Sequence, residues 1–338
     1  MSENNVQKRR WAKHVIGLVI TFLCLFVIAR QVSFPDIINA LEHFEWRYLV
    51  FGVASLAVGY ALRIFRWSLM LGAAGASATW KNCAAPFLGS IALNNVLPLR
   101  MGDIVRAFVF PAAMGIRRTI AASSLVMERL IDLMTLLACL AIAVVATQSA
   151  HLPVLIKESA ITMSIVGGLA MTLGFLFSGS LARVFQQIAL GRKGHLSRWL
   201  VVASTLLHSF EAMSQPRVLF SVIGISMLVW IGESGLFYFV LAGFGLDADP
   251  MLAMLVMAIA TLSTLLPSSP GYVGPFHLAV FTAVSMLGAT SAQAGSCAVL
   301  VHLALWLPTT IIGAIAIWMR PALFRADQTN PISKMNST

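Results

Sequence analysis

Arg63 and Arg66 stand three residues apart in an apolar run, so a helix places both guanidinium groups on one face. A guanidinium stays charged at any depth and its planar fork grips a phosphate at two points, which makes the pair a candidate anion site. A second cationic group lies in LPLRMGDIVR (97–106), where Arg100 and Arg106 bracket Gly102 and Asp103, with Asn94 and Asn95 just before. Further on, ERLID (128–132) sets Glu128 and Asp132 four residues apart on one helical face, with Arg129 beside them. Glu233 is the lone acid of another apolar run, and Gly271, Gly274 and His277 lie in or beside a glycine- and proline-rich break in a third. Charges in such surroundings are costly, so they face partners or water and mark substrate or ion paths.

Each group also has a structural role open to it. Arg66 suits snorkelling toward a cytoplasmic edge, while Arg63, a turn deeper, suits function. Asp103 suits a helix cap, and Asn94 and Asn95 suit pairing with backbone exposed at a break. Gly102 would allow a tight turn whose following amides form an anion-binding helix N-terminus. Glu128 and Asp132 read as a salt-bridge lattice holding the arginines, with proton carriage as the sharper alternative. Glu233 calls for an arginine partner, or else for a coupling proton. His277 and His302 read as solitary core histidines.

These residues must be held by a membrane protein. Of 338 residues, 59% are hydrophobic and 11% charged, which excludes a disordered chain and an ordinary soluble domain. The net charge of +10 sits largely in short loops and termini, where basic residues set membrane orientation, so nucleic acid is not an expected partner. Four cysteines lie far apart in apolar runs and read as buried thiols, not as a metal or redox set. With neither a metal cluster, a nucleophile–base pair nor a phosphate loop of the G-x-x-x-x-G-K type, the chain is expected to be no enzyme, to use no cofactor and not to be driven by ATP.

The expected fold is an all-α polytopic membrane protein with six full transmembrane helices plus two oppositely oriented re-entrant helical hairpins forming an inverted repeat. Val15–Ala29 reads as a retained anchor, and Phe34–Trp46 as a short interfacial helix. Further spans are expected at Tyr48–Leu71, Arg118–Ala146, Ile161–Phe177, Leu219–Gly243 and Cys297–Trp318. Trp80–Ala113 and Met251–Leu287 are too rich in breakers to cross as single helices: Pro98 and Gly102 interrupt the first, and Pro267, Pro270, Gly271, Gly274 and Pro275 the second. Broken backbone at membrane depth needs protein or water around it, hence the hairpins. If both return to the side they entered, the basic loops fall with the N-terminus and C-terminus in the cytoplasm, Asp247 and Asp249 fall outside, and the protein sits in a bacterial inner membrane. The chain is then a single integral membrane domain over 1–338. One half spans 48–146, a connecting helix and cytoplasmic amphipathic segment spans 147–218, with Trp199, His208 and Glu211 on the lipid surface, and the other half spans 219–318. The halves align through the leucine–proline pairs of NNVLPLRMGD and TLLPSSPGYVG, and paired breaks of this kind point to a transporter's binding site.

RIFRW (63–67), NNVLPLRMGDIVR (94–106), ERLID (128–132) and PSSPGYVGPF (267–276) together resemble the lysylphosphatidylglycerol synthase transmembrane-region family, also called the flippase-like domain family. The resemblance covers nearly the whole chain, in order. It implies a polytopic inner-membrane protein handling lipids or lipid-linked sugars. Two departures stand out: His277 occupies a position where the family often carries an acid, and no soluble acyltransferase-like domain follows Trp318, so the chain is not expected to make lysyl-lipid itself.

Five arginines (Arg63, Arg66, Arg100, Arg106, Arg129) face four acids (Asp103, Glu128, Asp132, Glu233), an excess that one phosphate would balance. The expected function is therefore a lipid or lipid-linked headgroup translocase. It would take a phospholipid or polyprenyl-phosphate headgroup in a midplane cavity between the hairpins and expose it to either leaflet. Two alternatives stand beside it: an accessory membrane subunit of a lipid-glycosylation or hopanoid-type pathway, with a protein partner, and an integral-membrane lipid transferase using Glu128 or Asp132 as base.

Overall fold

The computed structural model describes residues 17–147, 154–190 and 200–324, apart from 202, 205, 206, 208–210, 212, 247 and 248. The basic terminal residues Lys8, Arg9, Arg10, Lys13, Arg325 and Lys334 lie outside the described residues. So do Asp247 and most of the expected surface segment, including Arg192, Lys193, Arg198, Trp199 and His208.

Among the described residues the structure is helical, with no strand. In chain order the helices are α1 (Gly17–Ala29), α2 (Phe34–Glu42), α3 (Trp46–Ala73), α4 (Trp80–Val96), α5 (Met101–Phe108), α6 (Phe110–Met114), α7 (Arg118–Ala146), α8 (Val154–Leu190), α9 (Pro216–Gly243), α10 (Pro250–Ser263), α11 (Pro275–Met286) and α12 (Ser291–Trp318). Four of them, α3, α7, α9 and α12, are unbroken, 28 or 29 residues long and apolar enough to cross a membrane. Two bent pairs reach the same length and apolarity: α1 with α2, bent by 70°, and the two halves of α8, Lys157–Gly174 and Phe177–Ala189, bent by 53°. Counting each bent pair as one span gives up to six crossings.

Local chemistry explains the ends. The Ser33 hydroxyl accepts the Asp36 amide at 3.4 Å while the Asp36 carboxylate accepts the Ser33 amide at 3.1 Å, a reciprocal cap that starts α2. Thr79 caps α4 from one side, its hydroxyl accepting the Asn82 amide at 3.4 Å. Asp249, expected in an outer loop, caps α10 by accepting the Met251 amide at 2.6 Å, and Pro250 fills the first helical position, where no amide partner is needed.

The chain divides into two compact units. One comprises Met1–Ala61, Met134–Gly168 and Met227–Pro308; the other comprises Leu62–Leu133, Leu169–Ser226 and Thr309–Thr338. The first has an apolar core drawn from α3, α7 and α9 to α12, including Leu56, Leu140, Phe237, Val256, Val280 and Val301. In it α3 meets α9 through small residues: the Ser55 hydroxyl donates to the Gly232 carbonyl at 2.8 Å, and a Cβ on Gly59 would lie 3.4 Å from the Val229 carbonyl oxygen. The second unit packs differently. Buried Trp67, Phe87, Met127 and Ile131 share its interior with Arg66, Arg106 and Glu128.

Each unit holds a helical pair interrupted by a 3-10 turn. In the second, α4 runs to Val96, a single 3-10 turn covers Pro98–Arg100, and α5 packs back against α4. In the first, α10 and α11 pack together across a break that holds a 3-10 turn at Pro270–Tyr272.

Candidate functional site

The turn that closes the first break is made by two residues other than glycine. Leu99 (φ 59°) and Arg100 (φ 53°) are both left-handed, a conformation rare outside glycine and costly unless the surroundings impose it. Arg100 thereby becomes the residue preceding α5, and the helix begins two residues before Asp103. Asp103 is therefore not the cap expected from its type; it stands in the first turn with its carboxylate free for ion pairing. Nor does Gly102 make the turn. It is helical, and a Cβ there would sit 1.9 Å from the Ser90 carbonyl oxygen and 2.8 Å from the Asn94 nitrogen, so glycine serves the close approach of α5 to α4.

The second break has the same local form. Pro270, Gly271 (φ 73°) and Tyr272 (φ 60°) repeat the pattern of Pro98, Leu99 and Arg100. The correspondence is thus carried by Pro98 and Pro270, three residues away from the leucine–proline alignment read from the sequence. Similar backbone turns, not similar letters, relate the two breaks.

Asn94 ties the first break together. Its side-chain oxygen accepts the Asp103 amide at 3.1 Å and its nitrogen donates to Asp103 Oδ1 at 2.9 Å. Asn95 donates to the hydroxyls of Thr309 (3.1 Å) and Thr310 (2.9 Å) on α12. Arg129, on α7, donates to both oxygens of Asp103 at 2.8 Å, and its side chain remains 37% exposed.

Behind this pair lies a deeper lattice. Both terminal nitrogens of Arg66 donate to Asp132, the Nη2–Oδ2 contact measuring 3.2 Å, and Nη1 also donates to the Ser226 hydroxyl at 2.6 Å. Arg106 Nη2 donates to Glu128 Oε1 at 3.0 Å, an oxygen that also lies 3.9 Å from Arg66 Nη2. The rings of Trp67 and Phe87 support the Arg106 guanidinium at 5.3 and 4.8 Å, and the Trp67 indole donates to the Ser124 hydroxyl at 3.1 Å. Arg66 and Arg106 are sealed from solvent. At that depth the ion pairs stand in for water, because an unpaired charge would not be tolerated.

Arg63 and Arg100 are half-buried, and their charges act on Asp132 and Asp103 respectively. The second unit thus gathers Arg63, Arg66, Asn94, Asn95, Arg100, Asp103, Arg106, Glu128, Arg129 and Asp132. Within it, three carboxylates meet five arginines around the first break. Glu233, Gly271, Gly274 and His277 belong to the other unit.

In the first unit, His277 and His302 are not solitary. Their ring centres lie 4.5 Å apart with the planes tilted by 37°, and Phe276 stands against both, because the first turn of α11 faces α12. The second break is held by α1. Thr21 Oγ1 donates to the Val273 carbonyl at 3.0 Å and accepts the Ser269 amide at 3.1 Å. A Cβ on Gly274 (φ 100°) would lie 2.7 Å from the Thr21 Cα, so glycine allows both the turn and the close approach of α1. Sequence reasoning missed Thr21, Ser226 and the Thr309–Thr310 pair; the only signal available was that each is a hydroxyl in an apolar run.

The sequence profile of the lysylphosphatidylglycerol synthase TM region matches residues 14–313. The chain belongs to this family. It is accordingly a multi-pass integral membrane protein, as its apolar helices require. Among relatives of this family member, the glycosyltransferase AglD of Haloferax volcanii is 25% identical over 336 residues, covering 89% of the chain and 53% of AglD. The chain therefore spans about half the length of that relative. A UPF0104 membrane protein of Methanothermobacter thermautotrophicus is 22% identical over 326 residues, covering 89% of the chain and 92% of the relative. Another UPF0104 membrane protein, from Methanocaldococcus jannaschii, is 26% identical over 129 residues, or 38% of each chain.

Proposed function

We propose that this protein is a translocase for the phosphate-bearing headgroup of a phospholipid or polyprenyl-phosphate-type lipid, and not an enzyme. The observation that carries this reading is the excess of arginine around the first break. Arg66 pairs with Asp132, Arg106 with Glu128 and Arg129 with Asp103, and with half-buried Arg63 and Arg100 the group holds five arginines to three carboxylates. A fork that is always charged, beside a broken helix, recognises an anion better than a neutral headgroup. The acyl chains would stay in lipid while only the headgroup enters.

The topology that goes with this function has six crossings, formed by the four unbroken helices and the two bent pairs, with both broken pairs re-entrant and oppositely oriented. The like turns at Pro98 and Pro270 support an inverted repeat. The basic loops favour both termini in the cytoplasm, and the membrane that goes with this reading is a bacterial inner membrane. Liposomes that hold the protein and a fluorescent phosphatidylglycerol test the function. Headgroup exposure to an external quencher should rise with the wild type and fall at least tenfold with Arg63→Ala plus Arg100→Ala. Equal exposure in both would remove the arginines from the path.

The likeness to AglD favours a second reading, in which the chain is an accessory membrane subunit of a lipid-glycosylation pathway. That reading predicts stable co-purification with a glycosyltransferase, and no lipid movement by the chain alone.

A further inference from the structure

Glu128 has fewer partners than the two carboxylates near it. Asp132 accepts from two nitrogens of Arg66, and the Asp103 carboxylate accepts from Arg129 at both oxygens and from the Asn94 side-chain nitrogen. In Glu128 only Oε1 is engaged; Oε2 is buried without a partner, as are Nε and Nη1 of Arg106 and Nε of Arg66. All three side chains are almost wholly enclosed, at 2% exposure for Glu128, 1% for Arg106 and none for Arg66. Leaving buried charged groups half-satisfied is costly, so the lattice is closed but not complete.

The groups that face Glu128 define what would complete it. Arg66 approaches from α3 and Arg106 from α5, while Arg129 and Asp132 share α7 with it; Cys83 of α4 lies near Arg106. The two arginines need further acceptors and Glu128 Oε2 needs a donor. A tetrahedral phosphate supplies the acceptors. A proton on Oε2 turns that oxygen into a donor that can reach the same phosphate.

We propose that Glu128 is an internal stand-in for the lipid phosphate, exchanging its place as counter-anion for the headgroup by taking up one proton. This rests on the headgroup-translocase reading above. In the ligand-free state the carboxylate neutralises Arg66 and Arg106. When the phosphate enters, one proton from water binds Oε2 and the carboxylate becomes a neutral acid. One negative charge arrives as one is cancelled, so the buried charge is unchanged. Release of the headgroup returns the proton, which couples lipid movement to a proton gradient through this residue.

Dihexanoyl-phosphatidylglycerol, a phosphodiester that does not itself titrate near neutral pH, is the probe. Calorimetry of its binding to the purified full chain in two buffers of different ionisation enthalpy should give uptake of about one proton per lipid, and affinity should fall about tenfold per pH unit above neutrality. Glu128→Gln should bind with no proton uptake and no such slope. Geranyl phosphate, a monoester whose own second ionisation lies near neutrality, distinguishes the lipid source by affinity alone: preference for it indicates a polyprenyl-phosphate cargo, and the proton count is read from the phosphodiester. Binding by the wild type without proton uptake overturns the inference and leaves headgroup recognition standing. Failure of a folded wild type to bind either lipid overturns both. The wild-type proton count decides the matter even if Glu128→Gln fails to fold.

Discussion

Arg66 on α3 and Asp132 on α7 hold each other through two nitrogens and two oxygens, with the Ser226 hydroxyl as a third acceptor and the guanidinium fully enclosed. The pair fixes α3 against α7 at a depth where neither charge could survive alone. Removing one partner should therefore cost far more than removing both. Arg66→Ala is expected to lose about 3–5 kcal/mol of stability, and the double replacement Arg66→Met with Asp132→Leu should lie much closer to wild type. Thermal unfolding in detergent measures both; a double variant no better than Arg66→Ala would contradict the role given to the pair.

Gly102 is required by space and not by backbone angle. Gly102→Ala pushes a methyl group into the Ser90 carbonyl and the Asn94 amide, so α5 must separate from α4 and the Asn94–Asp103 bonds must break. A loss above about 3 kcal/mol is expected, with release of Arg129 from Asp103. Gly72→Ala, on α3 with nothing within 4 Å of the added carbon, is the control. It should be neutral or gain up to about 1 kcal/mol from helix propensity. Thermal unfolding of the two variants side by side checks the contrast.

Thr21 supplies the second break with one donor and one acceptor. Thr21→Val keeps the shape and removes both, leaving the Ser269 amide and the Val273 carbonyl without this partner. The expected cost is about 1–3 kcal/mol, with faster hydrogen exchange confined to the segment around Ser269. Exchange that rises equally at the first break would argue against a local clamp.

The parts of this fold that the sequence discloses are those written in one short window. The density of proline and glycine at 98–102 and 267–275 marks both breaks, and the four-residue spacing of Glu128 and Asp132 marks a shared helical face. What escapes is geometry imposed from outside the window. Leu99 and Arg100 have no intrinsic leaning to left-handed backbone, so residue type alone points to Gly102 for the turn and to Asp103 for a cap, and the structure gives neither residue that role. His277 and His302 come into contact only because α11 and α12 meet, and Ser226 reaches Arg66 only through packing of distant helices. An arginine's type shows that it needs a partner; which carboxylate it finds depends on helix packing.

The functional reading stands or falls with an anionic headgroup held by the arginine excess at the first break. Native mass spectrometry of the gently purified protein, followed by identification of the released lipid, is the decisive test. A phosphate-bearing lipid should remain bound to the wild type, and at least ten times less should be retained by a folded Arg63→Ala, Arg100→Ala variant. A neutral lipid, or equal retention of the phosphate-bearing one by both proteins, would refute recognition by these arginines.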